Sequence, residues 1–153
     1  MLEMKPKILV VQVIAAPDVE HSGSLSHSAV SDAELQQLLL DEAHSLGASL
    51  VLKTCRTVGE LERVLSLDQL EEFSGLVINP GVDVEFGIAI RQILLDAGIK
   101  KVEVHTLNPE AVGIKSQMTS VVDGFIVGFG LDSYILGLRA LLDLINRERS
   151  YRN

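Results

Sequence analysis

No tryptophan occurs in this sequence, and only 4% of its 153 residues are aromatic. The flat side chains on which nucleic-acid bases stack are therefore nearly missing. The net charge is −8, with Lys and Arg scattered along the chain, which argues against a phosphate-backbone partner as well. A single cysteine, Cys55, rules out an intramolecular disulfide, and no four-ligand zinc pattern surrounds it. No apolar run reaches the length of a membrane span, and the N-terminus has neither the apolar stretch nor the cleavage site of a signal peptide. These absences predict a protein of the reducing cytoplasm with no membrane or nucleic-acid partner.

What the chain does have is aliphatic. Hydrophobic residues make up 47% of it and charged residues 22%. A chain of this length buries a full core without staples, so residues 1–153 are read as a single domain. Leu, Ile and Val dominate, as in sheets covered by helices on both faces.

The chain-order reading starts with Lys7–Ile14, a nearly continuous apolar run and a central parallel strand. Ala15–Val30 is a long polar loop with His21, Gly23 and His27, either a binding loop or merely a loose one. Ser31 and Glu34 form a capping box, and a helix follows to Leu46 with Gly47 as its stop. Ser49–Thr54 is a second strand. A helical region runs from Gly59 to Leu65 and on towards Glu72. Gly75–Asn79 is a third strand, and a helix from about Phe86 to Ala97 ends at Gly98. Lys101–Thr106 is a fourth strand, Asn108–Ser120 an irregular loop, and Asp123–Gly128 a fifth strand. Asp132 is expected to cap a last helix through Ile145, with a frayed tail over Arg147–Asn153.

Five strands alternating with helices predict a three-layer α/β fold with a doubly wound parallel sheet, most economically in the flavodoxin-like order 2-1-3-4-5. Ligands then bind beyond the carboxyl ends of strands one and three. That geometry gathers the Ala15–Val30 loop, the Asn79–Gly87 turn and the end of strand four. Strand alternation places Glu103 and His105 on one face, two residues apart.

Four segments, V-I-N-P-G (Val77–Gly81), I-A-I-R (Ile88–Arg91), V-E-V-H-x-x-N (Val102–Asn108) and G-F-I-V-G-F-G (Gly124–Gly130), resemble the type II dehydroquinases. The resemblance covers Lys7 to about Leu142. Enzymes of that family remove a proton beside the ketone of 3-dehydroquinate, pass through an enolate and expel a hydroxyl as water, which is general acid–base catalysis with a prepared enolate site. The resemblance implies that His105 is the general acid and Glu103 its orienting carboxylate. It makes Asn79 a substrate anchor and gives Thr106, Leu107 and Asn108 the turn that receives the substrate carboxylate. It implies no cofactor and no metal, a small-molecule carboxylate as ligand, and a homo-oligomer built on trimers, up to a dodecamer.

The departures are as specific. On the ungapped register Gln12–Ser28, Ala15 replaces the asparagine of the enolate site, Ser22 the loop arginine and His27 the tyrosine base. Glu85 stands where the family has a histidine, and Gln92 where an acidic residue reaches a neighbouring subunit. Lys115 is the one cation in the loop after Asn108. Loss of a catalytic base removes about two to four orders of magnitude, and loss of an enolate stabiliser about two to three more.

Structural readings stand beside the functional ones. His105 and Glu103 also make sense as a satisfied pair at a sheet end, and Asn79 as an Asn-Pro turn bonding its own backbone. Glu85 suits a helix start, and His27 and His21 suit an exposed loop. Asp18, Glu20, Asp83 and Glu85 have the oxygen donors of a metal site but not its spacing. Cys55 packs as a small hydrophobe. The expected function is therefore a divergent hydro-lyase or proton-transfer enzyme for a 3-dehydroquinate-like cyclic or polyhydroxy keto acid. His105 and Glu103 would act with Glu85 or His27 as the second proton-transfer group. The alternatives are a non-catalytic binding or structural paralogue on the same assembly and a dehydroquinase that still works through a variant loop.

Overall fold

The computed structural model describes residues 4–14 and 32–152. The expected element order is present: β1 (Lys7–Val13), α1 (Asp32–Ser45), β2 (Ser49–Cys55), α2 (Val58–Val64), α3 (Leu67–Leu70), β3 (Gly75–Asn79), α4 (Val84–Leu95), β4 (Lys100–His105), β5 (Gly124–Val127) and α5 (Asp132–Arg152). The strands form one sheet in the order β2-β1-β3-β4-β5, and every pairing is parallel.

Period-2 alternation divides the core into two layers. Ile8, Val10, Val77, Val102 and Val104 face α1 and α5, where Leu35, Leu39, Tyr134, Leu138, Leu141 and Ile145 cover them. Leu9, Val11, Leu76 and Ile78 face the other way, against Leu61, Leu65, Phe86, Ile90 and Leu94. The α5 layer is packed closely. A Cβ placed on Gly137 would lie 2.5 Å from Val104 Cγ1, and one on Gly75 2.9 Å from Leu141 and Ile145. Each fully buried aliphatic side chain in these layers contributes about 1.5–3 kcal/mol.

Several boundaries differ from the sequence reading: α4 ends at Leu95 rather than Ala97, strand limits move by a residue, and four further differences have a local reason. The second helical region divides at Ser66, whose side chain accepts from Gln69 N and starts α3 afresh. Helix α4 begins at Val84 rather than Phe86, because Asp83 Oδ1 accepts from Phe86 N and so caps it earlier. Asp132 is the first helical residue of α5, not its cap, since a turn from Gly130 O to Ser133 N precedes it. The expected frayed tail is helical through Arg152. Arg147 pairs with Asp143, Arg152 with Glu148, and Arg149 donates to Met4 O across the sheet end. The capping residue Ser31, with His21 and the whole Ala15–Val30 loop, lies outside the described residues.

Candidate active site

Glu103 and His105 both leave β4 on the α4 side, as strand alternation requires. Glu103 is completely buried and His105 is 4% exposed. A buried carboxylate is tolerated only when its oxygens are occupied by donors. Here Oε2 accepts from His105 Nε2 at 2.6 Å and from Ser116 Oγ at 2.5 Å, and Oε1 accepts from Thr119 Oγ1 at 3.1 Å. Nε2 is engaged by the carboxylate, which leaves Nδ1 as the ring nitrogen open to a ligand. The Phe125 ring meets the imidazole edge-on, with centroids 5.8 Å apart at 72°.

His105 forms part of the lining of a pocket together with Pro80, Gly81, Asp83, Lys115 and Gln117. The Pro80–Val84 turn is shaped by Gly81 at φ 67°, a left-handed value that glycine adopts without strain. Gly87 lets the 115–119 segment close over α4, since a Cβ there would stand 3.0 Å from Gln117 Cβ.

The other predicted residues are placed differently. Asn79 is one residue past Ile78, which pairs with Glu103, so its side chain leaves β3 on the opposite face. Its Oδ1 accepts from Gly81 N at 3.0 Å and its Nδ2 donates to Tyr134 Oη at 2.9 Å. Asn79 and His105 therefore stand on the two sides of the sheet end. Asn108 Oδ1 accepts from Glu110 N and caps the short 3-10 turn Pro109–Val112. Thr106 and Leu107 are half-buried, and Thr106 O accepts from Gly130 N. Glu85 is exposed in the first turn of α4 and does not line the pocket with His105. His27, Asp18 and Glu20 lie outside the described residues. Among the described residues no three His, Cys, Asp or Glu side chains converge on a common metal position, and no helix is long and apolar enough to cross a membrane.

Sequence reasoning missed Ser116, Thr119 and Tyr134. The two hydroxyls sit in a loop without periodicity, three residues apart around the buried Met118, and nothing local marks them as partners of a strand. Tyr134 carried a usable signal. A tyrosine on the apolar stripe of α5 needs a hydrogen-bond partner for its buried hydroxyl.

Comparison with known proteins gives a consistent result. The sequence profile of the family described as Dehydroquinase class II matches residues 11–142. A 3-dehydroquinate dehydratase from Geotalea daltonii is 35% identical over 150 residues, covering 92% of this chain and 99% of its own. One from Carboxydothermus hydrogenoformans is 35% identical over 122 residues, or 78% and 79% of the two chains. Among solved structures, the type II dehydroquinase from Propionibacterium acnes superposes with a TM-score of 0.72 at 22% identity, covering 95% of this chain and 99% of its own. A 3-dehydroquinate dehydratase-like protein from Bifidobacterium longum superposes with a TM-score of 0.66 at 22% identity, covering 94% and 99%. At that identity the superpositions speak for the fold.

Proposed function

The chain belongs to the class II dehydroquinase family, and from that membership we propose that it is a divergent hydro-lyase or proton-transfer enzyme. Its substrate is a 3-dehydroquinate-like cyclic or polyhydroxy keto acid. The observation that carries the proposal is the buried Glu103–His105 pair in the wall of a pocket at the carboxyl end of the sheet. Glu103 holds the imidazole by Nε2, so that Nδ1, once it has taken up a proton, gives it to the leaving hydroxyl as general acid. Lys115, which lines the same pocket, supplies a positive charge for the substrate carboxylate. His27 and Glu85 are the two candidates for the second proton-transfer group. Thr106, Leu107 and Asn108 follow the acid directly and form the turn beside the carboxylate. Asn79 braces the opposite wall through Gly81 and Tyr134.

The parent dehydroquinase reaction is weak or lost in this reading, because Ala15, Ser22 and His27 replace the enolate asparagine, the arginine and the tyrosine base. A second reading, a non-catalytic ligand-binding or structural paralogue of the same trimer-based oligomer, draws support from Asn79. Its carbonyl oxygen and one amide hydrogen are devoted to the turn and to Tyr134.

One assay separates the two. 3-Dehydroquinate and a panel of ring and sugar keto acids are incubated with the protein, and formation of a conjugated enone is followed by ultraviolet absorbance. Turnover of a panel member that His105→Ala abolishes supports the enzyme. Silence across the panel, with His105→Ala unchanged in assembly by light scattering, supports the paralogue. Full dehydroquinase turnover would overturn the claim of divergence.

A further inference from the structure

Two of the three donors to Glu103 come from one short segment. Ser116 Oγ donates to Oε2 and itself accepts from Met118 N at 3.3 Å. With an amide on its lone pair, the hydroxyl proton is directed to the carboxylate. Thr119 Oγ1 occupies Oε1. The segment is anchored independently of the carboxylate. Met118 is fully buried in the α4-side core, Gln117 lies against Gly87, and Arg91 Nη1 donates to Ser120 Oγ at 3.2 Å. The hydroxyls are thus delivered to Glu103 by packing, not drawn in by it.

A buried carboxylate with a single imidazole partner has two ways to relieve its desolvation: take the imidazole proton, or let the ring turn. Two further donors remove the need for either. We propose that Ser116 and Thr119 are positioning residues that keep Glu103 an ionised, acceptor-only group and thereby hold the His105 proton on Nε2, with Nδ1 presented to the pocket. The charged groups around that pocket, Lys115 and Asp83, belong to its lining, while the donors to Glu103 are His105, Ser116 and Thr119. The kinetic consequence rests on the proposed role of His105 as acid, whereas the tautomer does not depend on that role.

The test is ring-15N NMR of His105 at neutral pH, with the backbone amide spectrum as a check on folding. The wild-type ring is expected as the Nε2–H tautomer, with a downfield and slowly exchanging Nε2 proton. Ser116→Ala combined with Thr119→Val is expected to lose that proton signal and move both nitrogens towards the tautomeric average. Thr119→Ser, which keeps the hydroxyl, is expected to look like wild type, and Thr119→Val alone covers the case in which the double variant fails to fold. On any substrate turned over, Ser116→Ala should lower kcat about tenfold with KM within about twofold, since the loss falls on the acid and not on binding. An Nδ1–H tautomer in the wild type, or unchanged ring nitrogens in the double variant, overturns the proposal. A wild-type protein without turnover but with the expected ring signals sinks the proposed function and leaves this inference standing.

Discussion

Asn79 donates a 2.9 Å hydrogen bond to the hydroxyl of Tyr134, which is 1% exposed on the inner face of α5. The bond ties the Asn-Pro turn after β3 to the helix after β5, across strands that are not neighbours in sequence. Removing one partner of a buried hydrogen bond costs about 1–3 kcal/mol, more than the bond contributes when both partners go. Asn79→Ala should therefore destabilise by about 1–3 kcal/mol and Tyr134→Phe by about 0.5–1.5 kcal/mol in urea unfolding. The double variant should be less destabilised than their sum by at least about 0.5 kcal/mol. Strict additivity would mean that the bond is absent in solution.

Gly137 lies where α5 crosses β4. Alanine there gains about 1 kcal/mol of helix propensity but must push the buried Val104, whose Cγ1 would lie 2.5 Å from the new carbon. Overpacking a rigid core costs about 1–3 kcal/mol. Gly137→Ala should thus lower the unfolding midpoint, and Val104→Ala in the same chain should recover part of the loss.

Most of the fold was legible in the sequence because its signals are local and periodic. The apolar runs at Lys7–Val13 and Gly75–Asn79, and the glycine stop at Gly47, need no tertiary information. The pairing of Glu103 with His105 was legible for the same reason, since two residues apart on a strand means one face. The face of Asn79 was not. Its side depends on the register of β3 against β4, Ile78 beside Glu103, which pattern alone does not supply. Ser116 and Thr119 were invisible because a hydroxyl that closes on a partner 13 or 16 residues away leaves no periodic trace. The helical tail escaped too, because Arg149 finds Met4 only in the folded sheet.

Cys55 sits fully buried at the end of β2, and burial pushes its thiol pKa up, with Glu60 adding to the shift and Lys53 opposing it. The unfolded chain therefore releases this proton at lower pH than the folded one. Stability from this residue is complete below the unfolded thiol's pKa and declines as pH rises through it, because the unfolded state then binds fewer protons. Urea unfolding from pH 7 to 10 should show a steeper alkaline loss for wild type than for Cys55→Ala. Alkylation of the native thiol should be slow for the same reason.

Lys115 lines the pocket beside His105. If it meets the substrate carboxylate, Lys115→Ala should raise KM, or the Kd of the unreactive hydroxy acid quinate, about tenfold, the size of one lost charge-assisted hydrogen bond. Lys115→Arg should keep most of the affinity. Calorimetry with equal affinities for all three proteins would assign the carboxylate to another group.

The most direct measurement follows both halves of the proposed reaction at once, by proton NMR of 3-dehydroquinate and related keto acids in heavy water. Removal of a proton beside the ketone appears as deuterium wash-in, and loss of the hydroxyl appears as enone product. For at least one keto acid, wash-in above the buffer rate is predicted, sensitive to His27→Ala or Glu85→Ala. His105→Ala should cut product formation at least about a hundredfold, the contribution of a general acid. Wash-in at the buffer rate for every acid tried, or product formation that survives His105→Ala, would contradict the account.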